Sequence, residues 1–394
     1  MQLSPEHQSR LRRVVYAAGF FANASVALGA YTTSSFFEEW VGTANVGAIY
    51  ALISLLMLAL ALNAQAIVEL TGVRRTLIGT LLASLATGLG MVALANSWAG
   101  VALVIIHAAV TYLLMIALDL YLEHLSEDEV TGGIRGIFLT LANLAYLASP
   151  LIASLALERY GFGAVFALST LALAPLAWIF VDKLPALPHR EYERLPIWHT
   201  ARYLWQGATE HARDVRNTVL LGFTLNFFYA IMVIYEPIYL HRELGMSWPG
   251  IGLVFTVMLV PFVLLDILLG RIADKYWGEK ELMITGLIIM GLVALAMPYV
   301  GTASVAAWAL ILFISRVGAA TLEMMIESYL FKKIDSQNIN SLFLSRSMNP
   351  LAYIVAPLLA SLVLTAAPFP FLFTLLGVAM LLALPLAWQL KDTR

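Results

Sequence analysis

Stretches free of Asp, Glu, Lys and Arg set the frame of this 394-residue chain. Residues 14–37, 40–68, 136–157, 160–181, 217–235 and 244–265 each run uncharged for one bilayer crossing, since roughly 20 helical residues span the hydrocarbon core. Three further stretches, 76–118, 282–315 and 347–390, are too long for a single crossing. They contain Asn96-Ser97-Trp98-Ala99-Gly100, Pro298 to Thr302 and Pro368-Phe369-Pro370, which are turn formers. Each stretch therefore reads as two helices with a tight bend. The pattern predicts twelve helices, six per half.

The two halves are copies of one another. Gly19-Phe20 with Asn23 returns as Gly222-Phe223 with Asn226, and Glu69 before Gly72 and Arg74 returns as Asp274 before Gly278 and Lys280. Asp119 and Glu123 return as Glu323 and Glu327, and Ser149-Pro150-Leu151-Ile152-Ala153-Ser154 returns as Ala356-Pro357-Leu358-Leu359-Ala360-Ser361. Four matches in one order, at a nearly constant shift, point to a duplicated unit. In an apolar chain, such duplication suggests a transport path between related halves.

Composition decides the solvent. With 61% hydrophobic residues, 12% charged residues and a mean hydropathy of +0.83, the chain exceeds the apolar share of soluble domains and needs a bilayer. It contains no cysteine, hence no disulfide, thiol nucleophile or cysteine metal site. A net charge of -2 argues against nucleic acid as a partner. The polar first thirteen residues run into an apolar stretch without a small-residue cleavage site, so the N-terminus reads as retained.

Positive charge gives the orientation, because Lys and Arg near helix ends stay in the cytoplasm. With the N-terminus inside, all of the 23 Lys and Arg residues are cytoplasmic except Arg159 and Arg242 outside, and Arg316 and Arg346 in or at the edge of the membrane. Both termini are then cytoplasmic. The expected organisation is a six-helix bundle over 1–184, a cytoplasmic linker over 185–216 and a second bundle over 217–394. In the linker, Ile197, Trp198, Tyr203, Leu204 and Trp205 suit either an interfacial helix or ordinary aromatic packing.

This all-α plan resembles the major facilitator superfamily, whose signature joins helices 2 and 3 and helices 8 and 9. The second copy here is Gly270-Arg271-Ile272-Ala273-Asp274-Lys275-Tyr276-Trp277-Gly278-Glu279-Lys280, with one extra residue before the second Gly. The first copy, Gln65-Ala66-Ile67-Val68-Glu69-Leu70-Thr71-Gly72-Val73-Arg74-Arg75, departs from it: Gln65 replaces the opening Gly and Glu69 replaces Asp. The resemblance implies two pseudo-symmetric six-helix bundles, with the first, fourth, seventh and tenth helices lining a central cavity. It thereby adds Asn23, Tyr31, Asn226, Tyr229 and Tyr235 as lining candidates.

Two groups of charges fall at the inner ends of the helices: Glu69, Arg74, Arg75, Glu123 and Arg135, then Asp274, Lys275, Lys280, Glu327 and Arg346. Partly desolvated pairs there can hold one conformation shut and still break, so the two groups read as a cytoplasmic gate. Ordinary positive-inside charges with acidic neighbours would look the same.

Charges deeper in the helices are better candidates for chemistry, since a charge in hydrocarbon normally faces a cavity or a partner. Arg316, Glu323 and Glu327 share one face of the tenth helix. The guanidinium needs an anion, and Glu323, Asp266 or an anionic substrate would serve. Asp119, Asp266 and Glu323 are the proton-coupling candidates. His107, about mid-membrane, and Glu236, before Pro237, join the substrate-cavity candidates. A packed histidine bonded to a neighbouring carbonyl, and a neutral or paired Asp266, are the plainer alternatives.

Pro150 and Pro357, each beside small residues, follow an antiporter-like spacing, but its recurrence in both halves favours hinge or helix packing. No phosphate-cradling Gly-Lys-Ser loop and no metalloprotease or esterase motif occurs, which argues against an enzyme and against ATP as the driving force. The expected function is secondary active transport of a small organic solute, driven by an ion gradient, with H+ first. No cofactor or metal is expected, the partners are substrate and lipid, and the chain is expected to be a monomer. A drug or metabolite efflux antiporter and a non-transporting membrane sensor or scaffold remain alternatives.

Overall fold

The structure is a computed structural model that describes residues 5–124, 131–185, 202, 205–206, 209–265, 278–333 and 339–391. Among them there is no strand. The helices are α1 (Pro5–Ala30), α2 (Thr33–Val41), α3 (Val46–Thr71), α4 (Val73–Ala93), α5 (Trp98–His124), α6 (Thr131–Tyr160) and α7 (Phe162–Trp178). They continue with α8 (Glu210–Ile238), α9 (Trp248–Leu264), α10 (Glu279–Ala296), α11 (Val305–Lys333), α12 (Ile339–Ala366), α13 (Phe369–Leu382) and α14 (Leu384–Trp388).

Eleven stretches are long and apolar enough to cross a membrane, and α9 is a shorter apolar helix, so the described residues fit twelve crossings. The three expected bends fall between α4 and α5, α10 and α11, and α12 and α13. Two boundaries differ from the charge-free pattern. The first crossing is interrupted at Tyr31 and Thr32, where the Thr33 hydroxyl donates to the Gly29 carbonyl at 2.8 Å. The seventh helix begins at Glu210 rather than Asn217, because Thr209 caps it by accepting from the Ala212 amide at 3.2 Å. Most of the linker lies outside the described residues.

The chain divides into two compact units. The first comprises Met1–Trp40, Leu52–Glu193 and Ser247–Gly252, and the second Val41–Ala51, Arg194–Met246 and Leu253–Arg394. In the first, α1 packs on α6 and α7, and α4 packs on α5 and α7. In the second, α8 packs on α12 and α11, and α10 packs on α11 and α13. The duplication also appears in the backbone: Gly42 before α3 has φ 74° and Gly245 before α9 has φ 67°, a region that a side chain disfavours.

Each unit buries an apolar interior and turns further apolar side chains outward. In the first, Val15, Leu77, Leu114, Leu118, Leu173 and Phe180 form part of one continuous core. In the second, Tyr239 stacks against Trp308, Phe369 and Phe373 with ring centroids 5.1 to 5.8 Å apart. Leu52, Leu55, Leu62, Leu82 and Leu89 are exposed on the first unit, and Leu358, Leu362 and Leu382 on the second. Such faces are stable only in lipid.

The repeated Pro and small-residue motif packs against glycine in both units. Gly252 of α9 lies so close to Pro150 and Ser154 of α6 that a Cβ would collide with the Ser154 hydroxyl and the Pro150 carbonyl. Gly47 of α3 lies the same way against Pro357 and Ser361 of α12. Small residues thus permit backbone approach beside each proline, which supports the packing alternative for this motif.

Candidate functional site

A group of polar side chains with Arg316 and Glu236 buried at its centre lies in the second unit, where α8 packs on α11. Arg316 is 2% exposed and Glu236 is 0% exposed, each within an apolar span. The Arg316 Nη2 is 3.8 Å from the Glu236 Oε2, close enough for an ion pair and too long for a hydrogen bond. The carboxylate oxygens of Glu236 and the Nη1 of Arg316 have no hydrogen-bond partner among the described residues. A buried charge normally has all its hydrogen bonds, so this incomplete pairing is unusual.

Two rings complete the group. The guanidinium carbon lies 5.4 Å from the centroid of Phe228 and 5.9 Å from that of Tyr229, within cation–π range. The Tyr229 hydroxyl donates to the Glu323 Oε2 at 2.7 Å, a charge-assisted bond. A polar link to α12 lies further along α8: Asn349 Nδ2 donates to Asn226 Oδ1 at 2.6 Å, and Asn226 Nδ2 donates to the Gly222 carbonyl at 2.8 Å. Tyr235 is fully buried and donates to the Pro357 carbonyl at 3.0 Å. Five expected candidates, Arg316, Glu236, Tyr229, Glu323 and Asn226, are thereby joined directly or lie along one face of α8 and its neighbours.

In the first unit, His107 of α5 is buried against α4. Its Nδ1 lies 3.0 Å from the Thr87 hydroxyl and its Nε2 3.4 Å from the Thr111 hydroxyl, with Thr111 bonded onward to Ser84 at 3.3 Å. Both ring nitrogens have partners, none of them charged. Asn23 donates to the Gly19 carbonyl at 2.8 Å, matching Asn226 and Gly222 in the second unit. Tyr31 is buried at the α1–α2 break, and Asp119 is exposed on α5.

The expected gate residues are only partly visible. Arg74 donates to the Val181 carbonyl at 2.9 Å, tying the start of α4 to the end of α7. Arg75 and Glu327 are exposed, and Glu69 and Lys280 are half-buried. Asp266, Asp274 and Lys275 lie outside the described residues, as do the side chains of Glu123, Arg135 and Arg346.

Two polar groups were not singled out from the sequence. Glu279, buried at the start of α10, pairs with Lys332 and accepts from the Ser328 hydroxyl at 3.1 Å, both on α11. Its place directly after Gly278 in the repeated signature was the available clue. Asp214, 0% exposed on α8, accepts from the Tyr329 hydroxyl at 3.0 Å and from the Lys391 amide at 3.4 Å. No pattern in the sequence announces that contact, because the residues come from three distant segments.

The pattern of the Major Facilitator Superfamily matches residues 16–337 and again 218–394. No curated protein matches the chain. Among solved structures, a POT family transporter in complex with 5-aminolevulinic acid is similar, at 15% identity and TM-score 0.78, with 95% of each chain covered. The nucleoside transporter NupG is similar at 13% identity and TM-score 0.74, over 97% of this chain and 99% of that one.

Proposed function

Because this chain belongs to the Major Facilitator Superfamily and is an integral multi-pass membrane protein, we propose that it is a secondary active transporter that moves a small polar organic solute by alternating access, with H+ as the coupling ion. The observation that carries this reading is the incompletely bonded Arg316–Glu236 pair inside the apolar spans. Placing two charges in hydrocarbon costs several kcal/mol per ion. A pair kept only for structure would be expected to satisfy its remaining donors and acceptors.

The similar structures support the substrate class at a coarse level. One is a transporter holding 5-aminolevulinic acid and the other is a nucleoside transporter, and both solutes are small polar organic molecules. The distribution of Lys and Arg supports cytoplasmic termini, and the division into two compact units supports a mechanism that moves two rigid bodies.

The test is reconstitution into proteoliposomes with an imposed pH gradient and a panel of organic acids, amines and nucleosides. Accumulation of at least one solute against its concentration, abolished by a protonophore, is the expected result. Exchange of internal solute for external protons would favour the efflux antiporter. Absence of any gradient-dependent flux would favour the sensor or scaffold.

A further inference from the structure

We propose that residues 384–391, which follow α13, form a releasable strap that clasps the end of the second unit where α8 begins and α11 ends, and that slows transport while it is closed. The control of transport rests on the transport reading, whereas the clasp does not.

The segment lies across helix ends instead of extending one. Pro385, in the first turn of α14, keeps α13 from running on, and α14 lasts only to Trp388. Beyond it Leu390 is buried and serves as an apolar anchor, while α14 itself packs on α8 and α10. From α8 the buried Asn217 side chain donates to the Leu386 carbonyl at 3.3 Å and to the Gln389 Oε1 at 3.4 Å. At Lys391 both main-chain groups are held: the amide donates to Asp214 Oδ1 at 3.4 Å, and the carbonyl accepts from the Tyr329 hydroxyl of α11 at 2.9 Å. The Lys391 Nζ lies 3.5 Å from the Glu210 carboxylate, an exposed pair that adds little. Three buried side chains on two helices are thus engaged with the backbone of one short segment.

The proton count at Tyr329 makes the clasp reversible. Its hydroxyl has one proton and faces two acceptors, the Lys391 carbonyl at 2.9 Å and the Asp214 Oδ2 at 3.0 Å. A carboxylate has no proton to return, so the hydroxyl shares its own between the strap and α8. When the strap lifts, that proton passes wholly to Asp214 in a charge-assisted bond, and the Lys391 amide and carbonyl turn to water. Lifting also opens Asn217 and the second Asp214 oxygen to water, so no polar group is left dry. The Arg213 guanidinium, 3.7 Å from Asp214 Oδ1 and on the same helix, supplies a counter-charge in both states. The bonds given up to Asn217 and to Asp214 are 3.3 to 3.4 Å long, beyond the usual range. Any movement of α8 against α11 at this end must stretch or release the strap, and a closed strap therefore resists it.

The chain has no cysteine, so an introduced thiol reports without background. Leu390→Cys places one in the buried anchor, and its rate of reaction with a water-soluble maleimide in the purified full chain counts strap openings. The thiol should react in the folded protein, and Tyr329→Phe should speed the reaction by about two- to tenfold, the weight of one hydrogen bond. Asp214→Asn is the sharper variant. Its amide oxygen still accepts from Lys391, and its amide nitrogen donates to the Tyr329 oxygen, which frees the Tyr329 proton for the Lys391 carbonyl. Labelling should therefore slow by about the same factor. A thiol that reacts only after unfolding, labelling unchanged by Tyr329→Phe, or labelling that speeds up in Asp214→Asn would each overturn the strap. For the effect on transport, Glu210→Cys and Lys391→Cys are joined by a short reducible cross-linker, and flux through proteoliposomes is measured with the panel of organic acids, amines and nucleosides. Cross-linking should slow flux severalfold and reduction should restore it. A cross-linked protein that transports as fast as its reduced form overturns the brake. Absence of flux for every solute sinks the transport reading and the brake with it, while the labelling pattern decides the strap by itself.

Discussion

The two units share most of their helix packing and place different chemistry in it. In the first, the buried polar group is His107 with Thr87, Thr111 and Ser84, neutral side chains whose ring nitrogens and hydroxyls bond one another. In the second it is Arg316 with Glu236, Tyr229 and Glu323, a charged group with atoms left over. Shifted by the interval that relates Asn226 to Asn23, Glu236 falls on Thr33 and Asp214 on Leu11. Shifted by the interval that relates Glu323 to Asp119, Arg316 falls on Tyr112. Duplication thus set the frame, and the second copy alone among these positions carries the buried charge. The neutral network has its hydrogen bonds made, whereas an under-bonded ion pair can exchange partners.

The comparison breaks most visibly if Arg316 is neutralised alone. Arg316→Gln leaves Glu236 buried without its counter-charge, and breaking a buried pair from one side destabilises by about 3–5 kcal/mol. Adding Glu236→Gln should return most of that loss, as read by thermal or denaturant unfolding in detergent. If the single variant is as stable as the parent, the pair carries no charge balance and the contrast between the units is empty.

Asp214 sharpens the same contrast at the helix ends. It holds the Tyr329 hydroxyl and the Lys391 amide where the first unit packs Leu11 into its apolar core. Asp214→Ala removes the acceptor of the Lys391 amide and leaves the Tyr329 hydroxyl only the Lys391 carbonyl, at 2.9 Å, and should destabilise by about 1–3 kcal/mol. Leu11→Ala should cost a comparable amount by a different route, the loss of apolar contact and a residual cavity. The two are told apart by Tyr329→Phe, which should weaken the effect of Asp214→Ala and leave that of Leu11→Ala unchanged in a double-mutant cycle.

The glycine contacts should behave alike in both units. Gly252→Val meets Ser154 and Pro150, and Gly47→Val meets Ser361 and Pro357, with backbone on one side of each contact. Overpacking of this kind costs about 1–3 kcal/mol. A large loss at one site with none at the other would show that the repeated motif packs in only one copy.

The fold was largely legible in the sequence, for a local reason. Charge-free length counts crossings, turn formers such as Pro368 and Pro370 mark the bends, and duplicated residues such as Asn23 and Asn226 mark the repeat. Each of these signals is contained in one short segment. The site was legible only as a set of names. Arg316 was expected to seek an anion, with Glu323, Asp266 or a substrate in view, but its partner is Glu236, which lies on another helix and is separated by 80 positions. Pairing across helices depends on rotation about each axis, which an almost uniformly apolar helix does not encode. The same limit hid the Glu279–Lys332 pair and the Asp214–Tyr329 bond.

His107 gives the smallest expected effect and the closest test of the comparison. Its Nδ1 and Nε2 both lie against threonine hydroxyls, so one nitrogen donates and the other accepts, and the neutral ring is complete. His107→Gln keeps a donor and an acceptor but cannot reach both hydroxyls in the same geometry, and the loss of about one neutral hydrogen bond costs about 0.5–1.5 kcal/mol. Proton-driven flux should survive this change at near parental rate, and its pH dependence should stay where it was. Were His107 the proton carrier, the same substitution would stop proton-driven flux. The first unit would then hold the coupling chemistry, and the assignment of exchangeable charge to the second would be reversed.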